Sequence, residues 1–235
     1  MKWLGKSLLQ RFLDMAIPEK CAVCGARLRG SEEHICVSCL SALPFTDTWK
    51  NPAENDMAKM FWHQMPIERS CALFYYKSHT PSSQAIYSLK YNGQPDMGRF
   101  LGRLLGKYAQ QVDFFEGIDA IIPIPLAKRR IEERGYNQCV MITEGLSEVC
   151  HLPILQDAVE RVSFLESQTH KSRWQRRENV EQVFRLTGKA DLQGKHLLIV
   201  DDVCTTGATI LACCEELMKA ENVKFSVLTV GLTES

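Results

Sequence analysis

Residues 198–210 read LIVDDVCTTGATI: an apolar run, two acids, a loop of Thr and Gly, and the start of a helix. An apolar run without alternation is typical of a strand that is covered on both faces, as in a parallel sheet. In such sheets ligands bind beyond the carboxyl ends of the strands, and a helix that begins there presents N–H groups to an anion. The segment therefore predicts an α/β fold with a phosphate site directly after the strand.

Strands and helices alternate over most of the remaining chain, which at 235 residues has room for one α/β domain and a small additional module. Apolar runs predict further strands over residues 71–77, 118–124, 154–162, 183–186 and 223–230. The helical spacing of apolar residues predicts helices over residues 82–91, 97–112, 136–150 and 208–220. This alternation favours a doubly wound, mainly parallel sheet.

The side chains of the strand–loop–helix segment suit a sugar phosphate. Gly207 lets the backbone approach an anion closely. Hydroxyl groups in the loop can donate to the same anion; they belong to Thr205, Thr206 and Thr209. Asp201 and Asp202 would repel a phosphate, but carboxylates accept hydrogen bonds from a diol such as that of ribose. The spacing and the lysine of a Walker loop are absent. A strand end with Asp caps and a Thr-rich turn would explain the acids or the threonines singly, but not the whole run.

Four of the ten cysteines form two CxxC pairs: Cys21 with Cys24, and Cys36 with Cys39. Two such pairs supply four thiolates in the tetrahedral arrangement that Zn²⁺ prefers. The intervening span is shorter than the common span of about 15–20 residues, although a compact ribbon still closes it. Two redox pairs or an iron–sulfur cluster are the alternatives, but a redox CxxC usually lies at a strand-to-helix junction of a thioredoxin-like unit. We therefore expect a structural Zn²⁺ site whose metal drives folding of the small module.

Charge and hydropathy bear on the compartment and the partners. Twenty-eight basic residues balance twenty-eight acidic ones, so no net field draws the chain toward nucleic acid or a membrane. No apolar run is long enough to cross a bilayer, and the first residues lack the apolar core of a signal peptide. We expect a cytoplasmic protein, in which cysteines stay reduced or bind metal. Residues 1–17 predict an amphipathic helix that packs on the main domain, with a membrane-surface helix as the alternative.

Several motifs together resemble a known family. Residues 198–210 are similar to the signature with which type I phosphoribosyltransferases bind phosphoribosyl pyrophosphate (PRPP): a hydrophobic strand, two acids, then T-T-G-x-T. With the two CxxC pairs and further motifs, the chain resembles the ComF family of bacterial phosphoribosyltransferase-like proteins from about residue 18 to its end. The further motifs are PIPL at residues 123–126, RGYNQ at residues 134–138, and Gln168, Arg173, Arg176 and Asn179.

The resemblance implies a fold and a division of the chain. The fold is that of type I phosphoribosyltransferases, a five-stranded, mainly parallel sheet flanked by helices, preceded by a small zinc-ribbon module. The division is an N-terminal helix over residues 1–17, a zinc ribbon over 18–45, a linker with some packed aromatics over 46–69, and a phosphoribosyltransferase domain over 70–235.

The resemblance also implies roles for individual residues. Asp201 and Asp202 would hold the ribose, and Mg²⁺ would arrive with the pyrophosphate. The 5-phosphate would lie against Thr205, Thr206, Gly207, Ala208 and Thr209. The loop after Pro125 corresponds to the pyrophosphate region and contributes Lys128, Arg129, Arg130 and Arg134. Residues 163–181 correspond to the mobile loop that closes over PRPP. There Arg173 and Arg176 would act with the two acids in catalysis, stabilising the charge that develops on the leaving group. A solvated surface charge is the alternative for each arginine.

Two function hypotheses follow, together with a third in which the protein is a catalytically silent scaffold and the phosphate site has only a structural role. The first is a protein that binds PRPP or another phosphoribosyl ligand, of the glycosyltransferase class, with an acceptor that the sequence does not name. The second is a factor that handles single-stranded DNA together with the competence machinery, because ComF relatives are associated with natural competence. A basic loop that contains Trp174 could follow a nucleic-acid backbone and stack a base, although the zero net charge argues against it.

Overall fold

The protein is represented by a computed structural model, which describes residues 19–91, 94–162 and 183–234. The helix expected over residues 1–17 and the basic segment with Arg173 and Arg176 lie outside the described residues. The described strands are β1 (Ile67–Tyr76), β2 (Ala120–Pro123), β3 (Val159–Arg161), β4 (Phe184–Leu186), β5 (His196–Cys204) and β6 (Lys224–Thr233). The described helices are α1 (Val37–Ser41), α2 (Asp56–Lys59), α3 (Pro81–Tyr91), α4 (Pro95–Gln110), α5 (Lys128–Arg134), α6 (Gln138–Cys150) and α7 (Ala208–Leu217), with a 3₁₀ turn at Thr48–Lys50.

The main sheet has the strand order β1-β6-β5-β2, and all three strand pairs are parallel. The apolar run that precedes the two acids forms β5, an inner strand whose first seven residues are buried. Pro123 of β2 pairs with Val200 of β5, so the loop after β2 lies beside the end of β5. The register therefore brings the PIPL motif and the two acids to the same edge of the sheet.

Helices cover both faces of this sheet, as the alternation of strands and helices predicts. Leu198 and Val200 face a core that includes residues of α3, α4, α6 and the cysteine module. Leu197 and Ile199 face a second core, built with α2, α7, β3 and β4. Because successive side chains of a strand point to opposite faces, β5 contributes to both cores in alternation.

The described sheet has four strands where five were expected. Ile154 forms a single parallel bridge with Ile121 of β2, and Leu155 N–H donates to the carbonyl of Ile121 at 2.8 Å. The chain then turns, with Ala158 N–H donating to the carbonyl of Leu155 at 3.2 Å. The strand predicted over residues 154–162 is therefore interrupted, and its second half, β3, pairs antiparallel with β4 instead.

Residues 46–69 pack against the sheet. Trp49 joins the first core, whereas Met57 and Phe61 join the second. Thr48 Oγ1 accepts a hydrogen bond from the N–H of Ala72 in β1 at 3.1 Å. This segment thus reaches both layers of the domain. In the described ranges, no helix has both the length and the apolar character needed to cross a membrane.

Candidate functional site

The two acids lie at the end of β5, where the sequence predicts the phosphate site. Both are buried, with 9% and 6% of Asp201 and Asp202 exposed. Asp201 faces the second core, beside the thiol of Cys139, whereas Asp202 faces Lys90 of α3. Adjacent residues of a strand alternate between faces, so the two carboxyl groups have different surroundings.

Asp202 is held by two donors that act on one oxygen. Lys90 Nζ lies 3.0 Å from Oδ2, and Gln138 Nε2 donates to the same atom at 3.0 Å. Arg134 in turn donates to Oε1 of Gln138 at 2.9 Å, which fixes the orientation of the Gln138 amide. Of the predicted site residues, Arg134 is therefore brought to the acids, through Gln138.

Asp201 lies in a less polar environment. Its Oδ1 accepts the N–H of Asp202 at 2.8 Å and the thiol of Cys139 at 3.4 Å. Burial and the neighbouring charge of Asp202 raise the pKa of Asp201 to about 7, although these two donors and Lys90 oppose the shift. Burial also raises the pKa of Cys139 well above its usual value. The Asp201 carboxyl is therefore protonated more readily than an exposed aspartate.

The loop after β5 leads directly into α7. Thr205 and Thr206 are exposed, and Gly207 has a left-handed backbone with φ +75° at the N-cap of the helix. The N–H of Ala208 donates to Thr206 Oγ1 at 3.4 Å. The first turn of α7 contains no acidic residue, so its positive dipole end is not neutralised from within the helix. The structure thus brings Thr205, Thr206, Gly207, Ala208 and Thr209 together at one helix N-terminus.

The remaining predicted cations lie on the surface of α5. Lys128, Arg129 and Arg130 are exposed, and Arg129 pairs with Glu133 of the same helix at 2.9 Å. In the described part of the chain, no hydrogen bond or ion pair joins these three residues to residues 201–209. They lie at the same edge of the sheet as the two acids, because α5 follows β2.

The RGYNQ motif connects three elements around Asp202. Tyr136 donates its hydroxyl to the carbonyl of Leu89 in α3 at 2.8 Å. Asn137 caps α6 by accepting the N–H of Cys139 at 3.0 Å, and it donates to the carbonyl of Ile124 after β2 at 3.0 Å. Gln138 completes the motif at Asp202. The motif therefore fixes the end of α3, the end of β2 and the start of α6 relative to one another.

Lys90 and Gln138 are the residues of this site that the sequence did not assign. Gln138 belongs to the RGYNQ motif, but the sequence does not indicate that its amide reaches Asp202. Lys90 occupies the last turn of α3, where a cation complements the helix dipole. That placement is ordinary for a lysine, so the sequence carries no signal for its role.

The four cysteines of the CxxC pairs form a second site. Their sulfur atoms all lie within 4.8 Å of one another. Zn–S bonds of about 2.3 Å place tetrahedral sulfur ligands about 3.8 Å apart. The sulfur atoms of Cys24 and Cys36 are 3.8 Å apart. The arrangement fits a metal ion with four thiolate ligands, as the spacing predicts.

Backbone donors favour an anionic sulfur at one cysteine of this cluster. The N–H of Cys36 donates to the sulfur of Cys21 at 3.3 Å. Burial opposes ionisation of Cys21, but N–H groups of Cys36, Cys24 and Val23 outweigh it and lower the pKa of Cys21 to about 6. Burial and the neighbouring thiols raise the pKa of Cys39. The cysteine module shares the first core with the main domain, and Ser88 adds a hydrogen bond to the carbonyl of Ala22 at 3.1 Å.

Comparison with known proteins agrees with this architecture. The family described as "Phosphoribosyl transferase domain" matches residues 154–233. Competence protein F of Haemophilus influenzae is 30% identical over 194 residues, which cover 81% of this chain and 74% of that protein. DNA utilization protein YhgH of Escherichia coli O157:H7 is 33% identical over 142 residues. That alignment covers 59% of this chain and 62% of YhgH, so the chain spans less than two thirds of this relative.

Among solved structures, the glutamine PRPP amidotransferase from B. subtilis complexed with ADP and GMP is 16% identical, with a TM-score of 0.40. The match covers 60% of this chain and 30% of that chain. The domain match, the parallel sheet flanked by helices and the N-terminal cysteine cluster confirm the predicted fold class. With 30% identity over most of both sequences, this chain belongs to the ComF family of phosphoribosyltransferase-like proteins.

Proposed function

We propose that this protein binds PRPP, or another phosphoribosyl ligand, at the carboxyl end of β5. The observation that carries the proposal is the direct succession of two buried acids and a hydroxyl-bearing loop at the N-terminus of α7. The acids would accept hydrogen bonds from the ribose hydroxyls. The loop and the helix dipole would hold the 5-phosphate, over residues 205–209.

Transfer of the phosphoribosyl group would proceed by cleavage of the bond between C1 of the ribose and pyrophosphate. The electron pair of that bond goes to the pyrophosphate oxygen, and an acceptor nucleophile attacks C1. Mg²⁺, arriving with PRPP, would neutralise part of the pyrophosphate charge. Cations of this chain would stabilise the rest as it develops. We assign that role to Lys128, Arg129, Arg130 and Arg134, and to Arg173 and Arg176, which lie outside the described residues.

Calorimetry with Mg²⁺ and PRPP tests the proposal. The native chain should bind, and Asp201→Asn/Asp202→Asn should weaken binding by about 30-fold or more, because two charge-assisted contacts to the ribose are lost. Asp96→Asn is the matched control, since it removes an exposed carboxylate of α4 that pairs with Arg99. Absence of binding by the folded, metal-loaded native chain, or equal affinities of the native and the doubly substituted chain, would contradict the proposal.

We also propose that the cysteine cluster holds a structural Zn²⁺ ion. Four thiolates with no other ligand in the cluster suit zinc or an iron–sulfur cluster. The sulfur atoms all lie within 4.8 Å of one another, which supports a single ion. Cysteines stay reduced in the cytoplasm and can bind metal there, so we propose that compartment for this protein.

A second candidate function is the binding of single-stranded DNA, which the names of two relatives favour: "DNA utilization protein" and "Competence protein F". The basic residues of segment 163–181 would contact the phosphates. Anisotropy of a labelled oligonucleotide at two salt concentrations measures this binding. Substitution of Lys171, Arg173, Arg176 and Arg177 by Ala should abolish it and its salt dependence. Binding that these substitutions leave unchanged would exclude the proposed contact surface.

A further inference from the structure

The ion pair between Lys90 and Asp202 differs from most ion pairs of the described chain in its burial. Only 24% of the Lys90 side chain and 9% of the Asp202 side chain are exposed. Lys50 and Asp47, in contrast, form a pair whose side chains are 81% and 65% exposed. Removing two charges from water costs free energy that their attraction often does not recover. Stability alone therefore explains the placement of Lys90 poorly.

The contacts of Asp202 divide its two oxygens. Lys90 and Gln138 both act on Oδ2. Among the described residues, no hydrogen bond or ion pair reaches Oδ1 of Asp202. Two donors on one oxygen fix the plane of the carboxylate, which leaves the other oxygen as an acceptor at a defined position. Such an acceptor is what a ribose hydroxyl requires.

Lys90 also balances the charge of a pair of acids. The titratable groups that face the pair are the ammonium group of Lys90 on α3 and three thiols. The thiols belong to Cys139 on α6, Cys204 at the end of β5 and Cys213 on α7. Burial raises the pKa of Asp201, and Lys90 acts in the opposite direction. In the described part of the chain, this lysine is the cation in direct contact with the pair.

We propose that Lys90 is a positioning residue for the ribose-binding acids, an inference that rests on the PRPP-binding function proposed above. It holds the Asp202 carboxylate at Oδ2 and supplies a positive charge beside the two acids. Lys90 then acts through Asp202 and does not touch the ligand itself. A purely structural lysine that joins α3 to the sheet would instead affect the stability of the protein and leave its PRPP affinity unchanged.

Three variants separate these roles. Lys90→Met keeps the aliphatic stem and removes the charge, Lys90→Arg keeps the charge, and Lys50→Met is a matched control at an exposed lysine. The first readout is the PRPP affinity between about pH 6 and pH 9. The second is the titration of Asp201, followed by ¹³C NMR of labelled aspartate and assigned with Asp201→Asn. The second readout needs no ligand.

We expect Lys90→Met to weaken PRPP binding by about 30-fold and to raise the pKa of Asp201 by about one unit, because the nearest cation is lost. Lys90→Arg should stay within about fivefold of the native affinity, since it restores the charge. Lys50→Met should change neither quantity.

Native affinity and native titration in Lys90→Met would overturn the proposal. Equal losses in Lys90→Met and Lys90→Arg would overturn it as well, because they would mean that the amine itself contacts the ligand. If Lys90→Met does not fold, Lys90→Gln keeps a donor for Oδ2 of Asp202 without the charge and serves for the same two readouts. Failure of the native chain to bind PRPP would reject the proposed function, whereas the Asp201 titration would still decide the role of Lys90 toward the acids.

Discussion

A Cβ atom at Gly207 would lie 2.7 Å from Cε1 of Phe61. Phe61 follows α2 in the segment that precedes the sheet, and it is 1% exposed, so its ring has little room to move. Gly207 begins α7 with φ +75°, a conformation that side chains with a Cβ rarely adopt. The segment before the sheet therefore supports the loop that we propose binds the phosphate, and glycine is required there for two independent reasons.

Gly207→Ala should destabilise the protein by about 2–4 kcal/mol, of which about 1–2 arise from the left-handed backbone and the rest from overpacking. Urea unfolding measures the loss. Gly188→Ala is the matched control, because Gly188 has φ +73° but nothing within 4 Å of the added Cβ. It should cost about 1–2 kcal/mol, the backbone contribution alone. Equal costs of the two substitutions would show that the ring of Phe61 moves aside freely.

Asn137→Ala should destabilise the protein by about 2 kcal/mol, because it removes the cap of α6 and the donor to the buried carbonyl of Ile124. Asn137→Ser retains an oxygen that can cap the helix and should lose about half as much. Asn51→Ala, at an exposed position, should change the stability by less than about 0.5 kcal/mol. Thermal unfolding of the three variants provides the comparison. A full loss in Asn137→Ser would assign the effect to the Ile124 contact alone.

The sequence predicted those parts of the architecture whose residues are adjacent or nearly adjacent along the chain. The apolar run, Asp201, Asp202 and the Thr-rich loop form one segment, and each CxxC pair brings its own thiolates together. Lys90 and Phe61 could not be found in this way, because each acts on a residue far along the chain and neither belongs to a motif. The interruption after Leu155 was also missed, since an apolar run does not reveal a turn that redirects it to a different partner strand.

The cysteine cluster should bind one metal ion per chain, measured by elemental analysis of the purified protein. Cys24→Ser and Cys36→Ser should each lose the metal and destabilise the N-terminal module, because a structural site contributes its binding free energy to folding. Cys150→Ser is the control: this half-buried cysteine lies outside the cluster and should leave the metal content unchanged. A metal-free native chain with the same unfolding temperature as the metal-loaded protein would contradict a structural site.

The Asp201 carboxyl should make the stability of the protein depend on pH. Its pKa is raised by burial to about 7 in the folded state, whereas an unfolded aspartate ionises near its ordinary value of 3.8. Between these two values the folded state binds more protons than the unfolded state, so this group lowers the stability as the pH rises toward 7. Above pH 7 the full cost of a buried carboxylate is present.

Asp201→Asn removes this cost and should therefore stabilise the protein, by a margin that grows with pH. Between about pH 5.5 and pH 8, a window that avoids acid release of metal from the thiolates, the margin should increase by about 1–2 kcal/mol. This corresponds to a rise in the unfolding temperature of about 2–4 °C per kcal/mol. Asp191→Asn, at an exposed acid, should give the same small effect at both pH values. A margin for Asp201→Asn that is independent of pH would mean that Asp201 is already ionised at pH 5.5. The ribose contact that we propose accounts for an acid at position 201 despite this cost. A site that binds ligand through a buried acid gives up stability in the free protein.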